Sequence, residues 1–251
     1  MNPIPFILCL SFSTAFTLAA GNGVGDLIKK GDTLDGQLKT AAALAVYLEA
    51  EKLEPDNVEI LQRLAKSYDE SMVDTTSREE QRRLAELGMS YAKRAVAIDP
   101  KNAKAQLSMA ITYGRLAPYL DSKTKIAYSK LVKEHAEKAL AIDPSCDYSH
   151  HVLGAWNYEL ANLNPILKAL VKLIYGGLPA ASMEQAEAHF LKAVALAPQR
   201  VSHHIELGRT YAALKKKDLA REELNKGLAL PSREKDDPST KQRGRDALSN
   251  L

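Results

Sequence analysis

The sequence predicts an all-α chain built as a solenoid of stacked helical hairpins. Composition is the first ground: of 251 residues, 45% are hydrophobic and only 6% aromatic. Ala, Leu, Lys and Glu dominate, and Val, Ile and Thr form no alternating runs, so helix is favoured over sheet. Self-similarity is the second. Ala-Val-Ala-Ile-Asp-Pro at 95–100 returns as Ala-Leu-Ala-Ile-Asp-Pro at 139–144 and Ala-Val-Ala-Leu-Ala-Pro at 193–198, with an earlier relative at Ala50–Pro55. In each copy an Ala precedes by five residues the Pro that ends a helix. Charge is the third: 34 basic against 31 acidic residues, interspersed, leave a net +3 without the basic footprint of a nucleic-acid binder.

Taken in chain order, Ile4–Ala20 carries no charge and ends in Ala19, Ala20 and Gly21. Residues 1–21 therefore read as a signal peptide, with an uncleaved membrane anchor as the alternative, and the protein is expected to be exported, periplasmic or secreted. Phe6-Ile-Leu-Cys9 lacks the small residue that precedes a lipidated cysteine, and Cys146 is then the sole thiol of a single solenoid domain over 24–251.

Counting back from Pro55 places Gly31, Leu34, Ala43, Tyr47 and Ala50 in a first helical pair. Leu61, Leu64, Ala65 and Tyr68 with Gly88, Ala92 and Ala95 make a second, and Met109, Ala110 and Tyr113 with Ala136 and Ala139 a third. Leu153 and Gly154 with Ala186, Phe190 and Ala193 make a fourth, and Leu207, Gly208 and Tyr211 with Ala220 and Leu224 a fifth, closed by Pro231. The small residues admit close helix approach and the large ones fill the space opposite. From Asp237 to Leu251 a last helix, with Pro238 in its first turn, reads as a capping helix. These five units resemble tetratricopeptide repeats.

Proline spacings of 45, 44 and 54 residues (55 to 100, 100 to 144, 144 to 198) exceed the roughly 34 of a plain repeat, so units two to four are lengthened. The additions are expected between the paired helices, at 70–80, 117–128 and 163–182. Ser122–Ile126, Ser149–Trp156, Ile174–Pro179 with Glu184-Gln-Ala186, and Leu207–Tyr211 with Leu230-Pro231 resemble the regulator of microtubule dynamics family over roughly residues 58–248. That resemblance implies a helical adaptor associated with microtubules or with mitochondrial and contact-site membranes, one branch binding phospholipid. Export leaves it no tubulin to meet, so a microtubule-associated role is expected only if the chain is not exported.

No phosphate-binding glycine loop, metalloprotease His-Glu pair or serine elbow occurs, so no enzyme and no cofactor is expected. His150-His151 and His203-His204 occupy the same part of adjacent first helices and can approach one another; no Cys, Asp or Glu completes a ligand set at helical spacing, and no metal is expected. First-helix positions that line a concave face include Lys66, Asp69, Glu70, Lys104, Leu107, Ile111, Arg115, Tyr148, His151, Tyr158, Glu159 and Arg209. Of these, Lys66, Lys104, Arg115, Tyr148, His151, Tyr158 and Arg209 are the expected partner-binding groove. The carboxylate clamp of chaperone-binding repeats is absent, since Lys66 stands where it needs Asn. In the insertion at 162–175, Leu163, Ile166, Leu167, Leu170, Val171, Leu173 and Ile174 form an apolar face with Lys168 and Lys172 opposite. With Trp156 nearby, Ile166, Leu167, Leu170 and Lys172 are candidate lipid or membrane contacts; the plainer reading packs the segment against the lengthened helices of units three and four. The expected function is a non-enzymatic scaffold holding a protein or peptide in its groove, the alternative a site for lipid or a small apolar ligand covered by residues 162–175.

Overall fold

Local chemistry sets the helix boundaries. Asn57 accepts from the backbone N–H groups of Glu59 and Ile60, Asn102 from Ala105, Asp121 from Lys123 and Thr124, and Ser182 from Gln185, each satisfying donors that the first helical turn leaves open. In the computed structural model, residues 15–177 and 179–251 are described, with side chains from residue 23 onward except at 170 and 175. The helices are α1 (Ala15–Gly36), α2 (Thr40–Leu53), α3 (Val58–Ser71), α4 (Arg78–Ile98), α5 (Ala103–Leu116), α6 (Ser122–Ile142), α7 (Asp147–Ala161), α8 (Pro165–Tyr175), α9 (Met183–Leu196), α10 (Val201–Ala213), α11 (Lys217–Ala229) and α12 (Asp237–Ser249).

Five hairpins result: α1 with α2, α3 with α4, α5 with α6, α7 with α9, and α10 with α11; α12 closes the last against α10 and α11. This is the predicted solenoid with its cap. The repeated alanines are its seams: Ala43, Ala50, Ala85, Ala92, Ala95, Ala110, Ala136, Ala139, Ala186, Ala193 and Ala220 are all fully buried. Leu61, Leu64, Phe190, Leu207 and Leu224 fill the space between them, each burial stabilising the fold by roughly 1.5–3 kcal/mol. No single hairpin holds these residues alone, because each cluster draws on neighbouring units.

The lengthening of units two and three goes chiefly into helix rather than loop. Helices α4 and α6 run 21 residues each against 14 in α2 and 13 in α11. In unit four the insertion becomes α8, started by Asn164 and Pro165 and ended by Gly176 at φ 73°, a left-handed stop that favours glycine. Of the expected signal peptide, residues 1–14 lie outside the described residues. Helix α1 continues unbroken through the Ala19–Gly21 stretch, and among the described residues no helix is long and apolar enough to cross a membrane.

Candidate functional site

The inner face is built by α3, α5, α7 and α10 and by the connection between α11 and α12. Tyr148, in the first turn of α7, lies at its centre. The Arg200 guanidinium stacks 5.0 Å from the centre of its ring, and the rings of His151 and His203 stand 5.3 and 5.8 Å away. Arg200 donates through Nε to Asp147 Oδ2 at 2.8 Å, and His203 Nε2 donates to the same oxygen at 3.0 Å. Burial pushes the Asp147 carboxyl up, but His203 and Arg200 outweigh it and hold it below the ordinary value.

With its Nε2–H given to Asp147, His203 accepts at Nδ1 from His151 Nδ1 across 3.1 Å. Burial holds His151 far below the ordinary imidazole range, with His203 and Arg200 adding to the effect, so His151 is a neutral donor. The two first helices do bring these histidines together, as a hydrogen-bonded chain anchored on Asp147. Their sequence neighbours turn away: His150 Nδ1 lies 3.2 Å from His189 Nδ1 on α9, and His204 Nδ1 lies 2.6 Å from Glu223 on α11. Burial pushes the Tyr148 hydroxyl up to about 12, Asp236 adding to the shift, so the phenol stays neutral.

Arg115, the last basic residue of α5, lies 3.4 Å from Asp236 Oδ2, with 40% of its side chain open to water. Behind it is Asp69, buried and with no partner for Oδ1 among the described residues; burial raises its carboxyl to about 7 against the pull of Arg115. A second group adjoins. Arg209 stacks 5.0 Å over Tyr158 and pairs with Glu206 at 2.5 Å, and Arg243 of α12 reaches the other Glu206 oxygen at 3.2 Å.

Five of the seven expected groove residues thus fall into two adjoining groups: Arg115, Tyr148, His151, Tyr158 and Arg209. The other two stand apart. Lys66 ties unit two to unit one through Asp35 at 2.7 Å and also meets Glu70 at 2.9 Å, and Lys104 is exposed and feels Asp143 at the end of α6. Arg200, Glu234, Lys235 and Asp236 are not among the groove residues expected from the sequence. Their signal was an excess of charge in the one long connection that follows a helix-stopping proline.

Of the candidate lipid contacts, Trp156 needs correction. It is 6% exposed, packed with Met109, Tyr113 and Val132, and its indole N–H donates to Ser129 O at 2.8 Å, so its aromatic surface is spent in the core. Helix α8 buries Val171 but leaves much of its apolar face open: Ile166, Leu173 and Ile174 are 79%, 84% and 55% exposed, and Leu167 and Lys172 are exposed. The Leu170 side chain lies outside the described residues. A cleft of about 200 Å³ among Lys133, Glu137, Leu153, Asn157, Ala180, Gln185, Ala188 and His189 is smaller than the roughly 300–1,000 Å³ of drug-sized ligand sites.

The family described as Regulator of microtubule dynamics protein 1-3 matches residues 27–251. Regulator of microtubule dynamics protein 1 of Bos taurus is 32% identical over 186 residues, covering 73% of this chain and 59% of its own length. The Mus musculus protein 1 is 31% identical, covering 79% and 66%, and the Homo sapiens protein 2 is 25% identical, covering 78% and 48%. The chain therefore spans about half to two thirds of the relatives it matches. Among solved structures, a thermophilic TPR protein of Thermus thermophilus aligns with TM-score 0.63 at 19% identity, covering 90% of this chain and 99% of that one. Pseudomonas aeruginosa pilF aligns with TM-score 0.57 at 14% identity, covering 92% and 90%. The likeness to the Thermus protein shows the tetratricopeptide fold. The expectation of an exported protein is corrected by these relatives: they are mammalian proteins named as regulators of microtubule dynamics, and microtubules are polymers of the cell interior.

Proposed function

The chain belongs to the regulator of microtubule dynamics family, and we propose that it is a non-enzymatic scaffold whose concave groove grips a protein segment that takes part in microtubule regulation. The observation that carries this reading is the grouping of Arg115, Tyr148 and Arg200 with the adjoining Arg209 and Tyr158 on one inner face. Arginine and tyrosine are the residues that most often anchor interfaces, since both supply area and directed hydrogen bonds with little entropy lost. The titratable groups on the groove surface beside them are tied to one another: Asp147 is held by His203 and Arg200, and Glu206 by Arg209 and Arg243, while Asp69 is closed off beneath Arg115. Such an arrangement positions binding groups and leaves no free acid and base poised across a cleft.

Co-sedimentation with microtubules polymerised from purified tubulin tests it. The unaltered chain is expected to pellet, and the double variant Arg115→Glu with Arg209→Glu to lose at least tenfold in affinity. Equal pelleting of the two would place the binding surface elsewhere.

Helix α8 supports a second reading, contact with a membrane surface. Its exposed Ile166, Leu173 and Ile174 with Lys168 and Lys172 form a basic amphipathic helix suited to an anionic bilayer interface. Leu173→Glu with Ile174→Glu, both at exposed positions, is expected to abolish flotation with phosphatidylserine-containing vesicles while leaving microtubule pelleting unchanged.

A further inference from the structure

The connection between α11 and α12 does more than join two helices. Glu234 engages the Arg200 guanidinium and lies 3.5 Å from the Tyr148 hydroxyl. Lys235 pairs at 2.7 Å with Asp74, in the short 3-10 turn that follows α3, and Asp236 lies 3.4 Å from Arg115 on α5. Three successive side chains of unit five thereby touch units four, two and three. The loop is held in shape from below: buried Asp237 accepts at Oδ2 from the backbone N–H groups of Arg233 and Glu234 at 2.7 and 2.8 Å. Glu234, Asp236 and Asp237 bring carboxylate oxygens within 4.8 Å of one another, but two of the three face guanidinium groups, so arginine is their counter-charge.

We infer that the groove takes an acidic peptide that presents the pattern Glu-X-Asp from a turn, and that the loop Ser232–Asp236 is an internal stand-in which such a partner displaces. The inference rests on the groove reading above and names the chemistry of its occupant. Charge complementarity carries it: the groove arginines Arg115 and Arg200 already hold the carboxylates of Asp236 and Glu234, two residues apart in a turn that the Asp237 backbone N–H closes onto the Glu234 carbonyl oxygen at 3.1 Å. The loop is also displaceable. Its ion pairs are partly open to water, with Glu234, Lys235 and Asp236 retaining 22%, 21% and 29% of side-chain exposure, and such pairs are individually weak. A tethered segment still competes at an effective concentration on the order of millimolar, so the resting chain holds its groove partly closed.

The test is fluorescence anisotropy on the full chain with a labelled synthetic peptide of residues 231–238, Pro-Ser-Arg-Glu-Lys-Asp-Asp-Pro. E234Q/D236N, which neutralises the stand-in, is expected to bind this peptide at least tenfold more tightly than the unaltered chain. Adding R115E and R200E should remove the gain, and a peptide of the same composition in scrambled order should show none. E79Q/E86Q adds the same charge far from the groove and is expected to leave affinity unchanged. The inference is overturned if E234Q/D236N binds no more tightly than the unaltered chain, or if E79Q/E86Q matches it. Should E234Q/D236N fail to fold, hydrogen exchange on the unaltered chain decides: excess peptide must speed exchange across 232–236, and no change sinks the proposal. All of these readouts use the peptide alone, so they stand or fall separately from microtubule pelleting.

Discussion

Single glycines decide how closely the paired helices approach. A methyl group built on Gly208 would lie 2.7 Å from Leu224 Cγ and 3.0 Å from the Leu224 backbone nitrogen, and one on Gly154 would lie 2.9 Å from the Phe190 ring. Backbone cannot yield as a flexible side-chain end can, so Gly208→Ala is expected to destabilise by about 1–3 kcal/mol through overpacking. Gly114, also helical, has nothing within 4 Å of the same position, and Gly114→Ala should stabilise by about 0.5–1 kcal/mol by restricting the unfolded chain. Thermal midpoints that move in opposite directions check the pair; a fall for both would mean that helix packing does not distinguish the two sites. The role of Gly208 was legible, because it recurs ten residues after the repeat's proline together with Ala65, Ala110 and Gly154. That of Trp156 was not: whether an indole faces core or solvent depends on which neighbour the lengthened α6 brings over it, here Ser129.

At the scale of the element, three units repeat one bridge. Gln106, His150 and His204, each six residues after the proline that ends the preceding helix, meet that proline's carbonyl oxygen at 2.7, 3.3 and 2.8 Å. Their other ends meet the second helix of the same unit at His135, His189 and Glu223. The histidines at this position thus lock a turn to a hairpin, which accounts for their spacing better than metal ligation does. The residue two after each proline shows a parallel pattern: Asn57 and Asn102 cap α3 and α5, whereas Cys146 sits at the start of α7 in the same extended conformation and makes no side-chain cap bond. Cys146→Asn is therefore expected to stabilise the chain by about 1 kcal/mol, seen as a higher urea midpoint, and Asn102→Ala to destabilise it by at least as much. An unchanged midpoint for Cys146→Asn would show that the hydrogen bond from Ser149 to the thiol, 3.1 Å long, is worth as much as the cap. The capping residues themselves are local sequence, Asn57 and Asn102 each standing two residues after a proline. The extra length of α4 and α6 was not legible, since a polar insertion with helical propensity reads alike as loop or as an additional turn.

At the scale of the whole molecule, the superhelical path of the solenoid brings Glu234, Lys235 and Asp236 of unit five to units four, two and three. No periodicity in the sequence encodes that curvature, so nothing in the repeat pattern places these three side chains against the other units. The same curvature crowds Asp69 of unit two beneath Arg115 of unit three, and this has a consequence in pH. Burial raises the Asp69 carboxyl from 3.8 to about 7, Arg115 opposing, so its ionised form is disfavoured in the folded state. Between those two values the folded chain retains a proton that the unfolded chain has lost. Stability from this group is therefore complete below about pH 4 and is lost as pH rises through 7. Asp69→Asn removes the titration, and its advantage over the unaltered chain should grow from near zero at pH 4 toward a ceiling of about 4 kcal/mol above pH 7. Urea unfolding of both proteins at pH 4.5 and 7.5 measures the difference. A gap that is constant across the two pH values would mean that Asp69 is ionised in the folded state throughout, held so by Arg115; the groove guanidinium would then be neutralised from behind, and the inferred hold of Arg115 on an acidic partner would lose its electrostatic basis.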